Sequence, residues 1–465
     1  MTTPTFFKEI PPYYEHQQET HDFITERVDA GEGRIFDASD PGTGKTRPAI
    51  GAFVERRKQG GKKSLVLAPK SILQPAWGGD INKFYPGTSH ICAFATNRKK
   101  AFEMDVDMYI TNHDAAKWMF ENLPKKYWQD FDTIIVDEST AFKNHNAQRS
   151  KFLYRLAKYF EFREIMTGTP NPNSVTELWH QCKILDDGES LGTSFWKFRS
   201  IVCEPVQVGP SAQHIQWRDK PGSEHAVFDM VDHMVIRHDY GDCHDSNFGE
   251  PYKVFYDLPA KPRKQYQDMI DIAVTMLNDG TLLKAVHAST VHQKLMQIAS
   301  GAVYKEDGTY SQVDPGRYEL IMDLIEARKQ CVVGFLWRHQ RVELEKAAKK
   351  RGFTYGVIDG TVKDRTRTEV VDAFQRGELK CLFAHPQSAG HGLTLTAGTT
   401  TIWASPTYNS EHFIQFNARI NRAGQKERTE TILVTARNTI DEEVYDRLDG
   451  KLDSMQLLLD LLGDA

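Results

Sequence analysis

Short runs of apolar and β-branched residues alternate along the chain with longer segments that read as helices. One set of runs lies early in the chain and a second lies late, in the order "RIFDA", "SLVLAP", "MYITN", "TIIVDE" and "REIMTGTP", then "VVGFLW", "YGVIDG", "CLFAHP", "TTIWASP" and "ETILVTA". Such alternation predicts parallel sheets, because the crossover helices of a parallel sheet cover both of its faces. The pattern therefore predicts an α/β protein.

The two sets of runs are separated by residues 178–330, which read mostly as helix and loop. Within this region the polar stretch 239–252 is the best candidate for a boundary. A chain of 465 residues is also too long for one ordinary hydrophobic core. We therefore predict two doubly wound parallel-sheet lobes with helical insertions, one over residues 1–240 and one over 250–465.

The formal net charge of −5 is slight for this length, so any contact with nucleic acid must come from local basic clusters. Clusters of this kind occur in "ERRKQGGKK", "NRKK", "PKKYW" and "EKAAKKRG". Taken singly, each is more typical of a solvated helix end or loop.

The six cysteines are scattered without a paired CxxC spacing, which argues against a zinc site and a disulfide framework. His238, Cys243 and His244 lie close together in "RHDYGDCHDSNFGE", but this polar stretch fits a loop better than a metal site. The N-terminal residues lack a basic segment followed by an apolar one, and the apolar runs are too short to cross a bilayer. We therefore expect a cytoplasmic protein without membrane contact.

A phosphate-binding loop is predicted in "SDPGTGKTRPA", which follows the strand "RIFDA" and precedes a helix. The candidate nucleotide-binding residues are Gly42, Thr43, Gly44, Lys45 and Thr46. Glycines let backbone N–H groups surround phosphate oxygens, the lysine neutralises β/γ charge and the threonine hydroxyl reaches Mg²⁺. The loop departs from the strict pattern only at Ser39, which occupies the first glycine position. ATP and Mg²⁺ are therefore the expected cofactors.

The apolar strand in "FDTIIVDEST" ends in two carboxylates, Asp137 and Glu138. The carboxyl edge of a parallel sheet is where α/β proteins bind ligands. We therefore predict that Asp137 holds Mg²⁺ and that Glu138 orients and deprotonates the attacking water. The alternative, a solvated turn, is weakened by the phosphate-binding loop earlier in the same lobe.

Two arginines stand three residues apart in "NSEHFIQFNARINRAGQ". The segment is predicted as a helix that begins after Asn409 or Ser410 and ends at Gly424, which would place Gln415, Arg419 and Arg422 on one face. A cation aimed at the γ-phosphate stabilises the transition state of phosphoryl transfer. We therefore predict that this face completes the ATP site with an arginine finger; the alternative is an ordinary polar surface.

The chain resembles the core of superfamily-two helicases, and within it the SWI/SNF-type translocases. The resemblance rests on ordered motifs, namely "PPYYEHQQE", "SLVLAPKSILQPAWGGDINKFYP", "VDESTAFKN", "REIMTGTPNPNSVTELW", "MVIRHDY", "LPAKPRKQY", "VIDGTVKDRTRTEVVDAF", "SAGHGLTLTAG" and "QFNARINRAGQ". It implies two tandem RecA-like lobes and makes Gln17 the adenine contact. It also implies nucleic-acid contacts at Lys70, Ser71, Thr111, Asn112, Gly360, Thr361, Gly390 and Thr394.

Two features distinguish the chain within that resemblance. Thr140 stands where the family's box usually has His, which leaves its coupling to Thr167 and Thr169 open. Residues 198–231 and the "GHGLTLTAG" segment are more similar to the annealing-helicase branch than to nucleosome remodellers. The core is compact, as in bacterial or phage proteins.

The leading hypothesis is an ATP hydrolase that moves along duplex DNA and remodels forks or junctions by branch migration. The alternatives are a conventional strand-separating DNA helicase and an ATP-driven remodeller of a DNA-bound protein. Duplex or branched DNA is the expected partner, and a monomer in the cytoplasm of a bacterial or phage-infected cell is expected.

Overall fold

Two parallel sheets dominate the fold, and each belongs to its own unit of the chain. The first unit comprises Met1–Asp245 with Asp453–Ala465, and the second comprises Ser246–Leu452. The computed structural model describes residues 10–171, 173–207, 215–243, 249–278, 285–305, 307–389, 392–422 and 424–463. The lobe limits 1–240 and 250–465 stay a prediction.

The first unit is built on a seven-stranded sheet in the order β3-β4-β2-β5-β6-β1-β9, with every neighbouring pair parallel. Strands β7 and β8 form a separate antiparallel hairpin. The strands are β1 Arg34–Asp37, β2 Lys63–Ala68, β3 His90–Ala93, β4 Met108–Asn112, β5 Phe131–Asp137, β6 Phe162–Met166, β7 Cys203–Gln207, β8 Ile215–Asp219 and β9 Val235–Ile236. The helices are α1 Glu15–Asp29, α2 Thr46–Lys58, α3 Gly79–Phe84, α4 Arg98–Phe102, α5 Ala115–Asn122, α6 Gln148–Ala157, α7 Leu178–Asp186, α8 Phe195–Val202, α9 Ser223–Val231 and α10 Tyr240–Cys243.

The second unit is built on a six-stranded sheet in the order β10-β17-β16-β13-β15-β14, again with parallel neighbours, and carries a small antiparallel pair, β11 and β12. Its strands are β10 Tyr252–Tyr256, β11 Ala302–Tyr304, β12 Tyr310–Gln312, β13 Cys331–Gly334, β14 Tyr355–Ile358, β15 Cys381–Ala384, β16 Thr400–Trp403 and β17 Glu430–Ala436. Its helices are α11 Ala260–Asn278, α12 Ala285–Ala299, α13 Gly316–Glu326, α14 Arg338–Arg351, α15 Asp364–Gln375, α16 Pro386–Ala389 and α17 Ser410–Asn417, together with α18 Ile440–Gly463, which belongs to the second unit as far as Leu452.

Both faces of the second sheet are buried, as a doubly wound fold requires. Along β13, Cys331 and Val333 pack into one apolar cluster with residues of α13 and α14. Val332, between them, packs into a second cluster on the opposite face, with Phe374 of α15 and Phe416 of α17. Because successive strand residues point to opposite faces, a strand covered on both sides reads as a continuous apolar run. The predicted class, two parallel α/β sheets with helical insertions, is confirmed.

All ten predicted strands are present, but the sequence did not reveal three of the four edge strands, β3, β9 and β10. The edge strand β10 is mostly exposed or half-buried, and β9 has only two residues. Neither gives the continuous apolar run of a central strand. Residues 178–330, predicted to be mostly helix and loop, also contain the six short strands β7 to β12. No helix in the described part of the chain is long and apolar enough to cross a membrane.

Candidate nucleotide site and nucleic-acid interface

The predicted phosphate-binding loop connects the end of β1 to the start of α2. Gly42 and Gly44 have φ values of 99° and 83°, which an L side chain rarely adopts. A Cβ on Gly44 would also come within 2.4 Å of Gln17 Nε2. The backbone conformation thus favours glycine at both positions, and a side chain at Gly44 would in addition displace the Gln17 amide.

The loop holds the Lys45 ammonium group within its own curve. Lys45 Nζ donates to Ser39 O at 2.5 Å and to Asp40 O at 3.0 Å. Thr43 Oγ1 donates to Asp40 O at 2.9 Å and closes the turn. Thr46 is the first residue of α2, where unpaired backbone N–H groups and the helix dipole favour an anion. The Lys45 ammonium group therefore already lies inside the loop. A phosphate that enters the loop would replace the carbonyl oxygens of Ser39 and Asp40 as its hydrogen-bond partners.

Helix α1 supports the loop through two side chains. Gln17 Nε2 donates to Gly44 O at 3.3 Å, while its Oε1 accepts from Tyr14 N at 3.3 Å. His16 Nε2 lies 2.8 Å from Thr43 O. The structure thus brings Gln17 against the phosphate-binding loop, and its predicted role as the adenine contact stays a prediction.

Asp137 is in register with Asp37, the last residue of β1, after which the phosphate-binding loop begins. In the register β1-β6-β5, Asp37 pairs with Met166 and Met166 pairs with Asp137. Two strand spacings therefore separate Asp37 from Asp137, about 10 Å. Trp77 Nε1 donates to Asp137 Oδ2 at 2.9 Å. Burial, reinforced by the neighbouring charge of Glu138, raises the pKa of Asp137 to about 7.

The donors at this edge of the sheet fit Mg²⁺. Thr46 and Asp137 offer hydroxyl and carboxylate oxygens, the ligands that this hard cation prefers. Asp37 Oδ2 is buried and has no hydrogen-bond partner among the described residues, so it has acceptor capacity left for a metal-bound water. Within the described residues no group of three or more His, Cys, Asp or Glu side chains can hold a metal by itself. This suits an ion bound through one carboxylate, waters and substrate phosphates.

Glu138 has a backbone conformation that is uncommon for its residue type. Its φ of 52° and ψ of 57° lie in the left-handed region, which costs a non-glycine residue about 1–3 kcal/mol. The residue is half-buried and follows Asp137 directly at the end of β5. Strain of this kind at the carboxyl edge of a sheet is typical of a functional position.

A buried glutamine links the "DEST" box to the "TGTP" segment. Ser139 Oγ donates to Gln181 Oε1 at 2.7 Å, and Gln181 Nε2 donates to Pro170 O at 2.8 Å. A Cβ on Gly168 would approach Pro41 Cδ to 2.5 Å, so the same segment also packs tightly on the phosphate-binding loop. These bonds join Ser139 of the box to Pro170, next to Thr169, and the coupling of Thr140 to Thr167 and Thr169 stays open. Sequence reasoning missed both Trp77 and Gln181: Trp77 lies within a quoted motif but was assigned no role there, and Gln181 lies just past the end of the "TGTP" motif.

The predicted helix around the two arginines is shorter than expected. Helix α17 ends at Asn417, so the prediction that it continues to Gly424 is wrong. Arg419 O accepts instead from Leu395 N at 2.9 Å, which takes its carbonyl out of the helical pattern. Gln415 and Arg419 are almost fully buried, at 1% and 2% exposure, so they are not an ordinary polar surface.

The two arginines have different surroundings. Arg419 Nε donates to Gln415 O at 2.6 Å, and its Nη1 lies 3.5 Å from Leu393 O. Arg422 is half-buried. Arg419 is therefore part of the packing of the second unit, whereas Arg422 is the more accessible cation. Their role at the ATP site stays a prediction.

The predicted nucleic-acid contacts of the first unit lie at strand ends. Lys70 is exposed and Ser71 half-buried in a short helix directly after β2. Asn112, at the end of β4, accepts from Arg98 Nη2 at 2.7 Å. Thr111 has no exposed surface and its hydroxyl donates to Ala93 O at 2.8 Å. The Thr111 hydroxyl is therefore not available to a phosphate in this structure.

The predicted contacts of the second unit are mostly exposed. Gly360 and Thr361 follow β14, and Thr361 Oγ1 donates to Asp359 Oδ1 at 2.7 Å. Thr394 is exposed. Gly390 lies outside the described residues.

The family of the chain follows from comparison with known domains. An SNF2-related domain matches residues 16–299, and a helicase conserved C-terminal domain matches residues 316–424. The first match alone covers more than half of the chain, so the chain belongs to the SNF2-related family. It is accordingly a helicase-like, ATP-using enzyme that acts on DNA. The predicted family and enzyme class are confirmed.

Three relatives indicate the range of proteins that the chain is similar to. Putative protein p41 of Acyrthosiphon pisum secondary endosymbiont phage 1 is 27% identical, over 90% of this chain and 93% of its own. The putative ATP-dependent helicase/translocase YwqA of Bacillus subtilis is 25% identical, over 98% of this chain and 49% of its own. The DNA annealing helicase and endonuclease ZRANB3 of Bos taurus is 25% identical, over 90% of this chain and 38% of its own. The chain thus spans less than half the length of the last two.

Proposed function

We propose that the chain hydrolyses ATP at the loop after β1 and uses the cycle to move along duplex DNA and remodel branched DNA. The observation that carries the proposal is the position of Lys45 within a glycine loop, on the same sheet edge as Asp137 and Glu138. Lys45 binds the β/γ-phosphates, Asp137 and Thr46 hold Mg²⁺, and Glu138 accepts the proton of the attacking water. When bound, Mg²⁺ neutralises phosphate charge during transfer.

The proposal also assigns Arg419 and Arg422, which lie in the second unit, a role in ATP hydrolysis. A guanidinium directed at the γ-phosphate stabilises the charge that develops in the transition state, a contribution of roughly 10³ to 10⁵ in rate. DNA binds mainly through its backbone, so affinity falls steeply with salt.

The insertion after α7 supports branched DNA as the substrate. It carries an exposed aromatic surface, with Trp196 at 62% and Trp217 at 37% exposure. The guanidinium carbon of Arg199 lies 4.6 Å from the Trp196 ring centroid and 4.0 Å from that of Trp217. Stacked aromatic and guanidinium planes offer a platform for an unpaired base, such as those exposed at a junction. The name of the Bos taurus relative, an annealing helicase, points the same way.

ATP turnover on a panel of DNA structures tests the proposal. Single strands, blunt duplex, forks and four-way junctions are compared at matched occupancy, and forks and junctions are expected to stimulate most. Trp217→Ala should remove this preference while blunt-duplex stimulation persists; Ile201→Ala, which changes a neighbouring exposed side chain at 57% exposure, is the control. Equal stimulation by single strands, with separation of long duplexes from a tail, would favour a conventional helicase. ATP turnover that does not change when DNA is added would favour an ATP-driven remodeller of a DNA-bound protein.

A further inference from the structure

A basic groove lies on the helical layer of the first unit, between α6 and α7. Its volume is about 690 Å³. Its cationic lining residues are Lys125, Lys151, Arg155, Lys158 and Lys183. No Asp or Glu occurs among the described residues that line it. The basic groove is thus a concave surface of one charge sign.

The basic groove extends away from the predicted nucleotide site. Lys125 lies just before β5, whereas Asp137 and Glu138 lie at the carboxyl end of that strand. Seven strand residues span about 20 Å, so the two ends of β5 are on opposite edges of the sheet. Lys158 likewise follows α6 and precedes β6, near the amino edge. The end of the basic groove that Lys125 and Lys158 form therefore lies away from the ATP site.

Three of the cations form a regular stripe. Lys151, Arg155 and Lys158 are spaced i, i+4 and i+7 along α6 and its C-terminal cap, which puts them on one face over about 10 Å. One strand of duplex DNA presents a phosphate about every 3.4 Å along its axis. The three cations of the stripe thus extend over the axial length of about four successive phosphates. Among the described residues, neither Lys151 nor Arg155 has a carboxylate within ion-pair distance.

Lys158 of the stripe and one further cation, Lys183, are crowded over the same aromatic ring. The ammonium groups of Lys158 and Lys183 lie 4.6 Å and 5.2 Å from the Tyr154 ring centroid. Burial, together with the charge of Lys158, lowers the pKa of Lys183. The Asp187 carboxylate lies 3.9 Å from Lys158 Nζ but only 3.0 Å from Arg163 Nη1, so its negative charge is shared between two cations. Like charges held this close are stabilised by a bound anion.

We propose that the basic groove binds the phosphate backbone of DNA, as a second contact outside the strand-end motifs. The inference rests on the proposed function, because that function supplies DNA as the polyanion. A regular stripe of three cations suits a polymer with evenly spaced charges better than an acidic polypeptide, whose carboxylates are irregularly placed. An acidic polypeptide is the competing occupant that the experiment distinguishes.

The experiment compares two double variants of the full chain that each remove two exposed cations. Lys151→Ala/Arg155→Ala changes the basic groove, and Lys58→Ala/Lys99→Ala changes exposed lysines of α2 and α4 as a matched control. Binding of a labelled blunt duplex is measured over a range of KCl concentrations. The groove variant should bind roughly tenfold more weakly, and its slope of log affinity against log salt should shrink by about 1.8, or about 0.9 per lost phosphate contact. ATP turnover without DNA should be unchanged in both variants.

A lysine acetylation footprint locates the contact independently of the variants. Duplex DNA should protect Lys151 and Lys158, while polyglutamate at the same charge concentration should not. Wild-type affinity and salt slope in the groove variant, or protection by polyglutamate alone, would overturn the inference. If the wild-type chain did not bind DNA, the proposed function itself would be wrong. If the wild-type chain bound DNA and the groove variant bound it equally well, only the role of the basic groove would be wrong.

Discussion

Replacing Glu164 with glutamine is expected to stabilise the first unit at neutral pH. Glu164 lies in the interior strand β6, paired with Ile35 on one side and Ile135 on the other. It is 6% exposed, and its Oε1 has no hydrogen-bond partner among the described residues. Burial, with the nearby charges of Asp37 and Asp137, raises its pKa well above the ordinary value of 4.5. Between the pKa of the unfolded chain and that of the folded chain, the folded chain therefore holds a proton here that the unfolded chain releases.

The sign and size of the effect follow from this difference. A carboxyl group with a raised pKa in the folded state gives full stability below pH 4.5 and loses it as the pH rises toward the folded pKa. Each pH unit in that interval costs about 1.4 kcal/mol. If the group stays protonated to pH 7, the cost reaches about 3 kcal/mol at that pH. Glu164→Gln keeps the shape but does not titrate, so it should gain up to this amount at pH 7 and almost nothing near pH 5.

Hydrogen exchange of the β5 and β6 amides measures the free energy of opening in the first unit alone, which avoids treating a chain of two units as two-state. Wild type and Glu164→Gln are compared at several pH values, with Glu161→Gln, an exposed neighbour, as the control. A Glu164→Gln chain that is less stable than wild type at pH 7, or a difference that does not change with pH, would refute the reasoning.

Three further predictions concern the two arginines and the predicted nucleotide site. Arg422→Ala should lower ATP turnover by roughly 10³ with little change in nucleotide affinity, measured by steady-state kinetics. Arg419→Ala should lower turnover and also the thermal stability of the second unit, since its buried guanidinium bonds backbone carbonyls; equal stability of the two variants would contradict the assigned difference. Burial raises the pKa of Asp137 to about 7, and the hydrogen bond from Trp77 Nε1 opposes that rise. Trp77→Phe removes this bond, so the acid limb of the pH profile for ATP turnover should move upward by about one pH unit. An unchanged acid limb would contradict this role of Trp77.

The sequence predicted the structure best at positions where a single physical requirement, such as burial or an unusual backbone conformation, determines the residue type. Central parallel strands such as β5 are buried on both faces, so their apolar runs could be located directly. The phosphate-binding loop was equally clear, because Gly42 and Gly44 need backbone conformations that few other residues adopt. Edge strands such as β10 gave no comparable pattern, since half of their surface faces solvent.

The sequence was least informative where contacts join distant segments. The bond from Trp77 to Asp137 and the link through Gln181 depend on tertiary packing that has no local pattern. The end of α17 was misjudged for a related reason, because Arg419 O pairs with Leu395 N and not with a later residue of the same helix. Tertiary hydrogen bonds overrode the local helical pattern there.

The central claim is that ATP hydrolysis occurs at the loop of Lys45 and the carboxylates after β5, and that DNA drives it. Steady-state ATP turnover of wild type, Lys45→Ala and Glu138→Gln, with and without duplex DNA, tests this claim most directly. We expect DNA to raise wild-type turnover manyfold, and both variants to hydrolyse almost no ATP while still binding DNA. Near wild-type, DNA-stimulated turnover in Glu138→Gln would contradict the account.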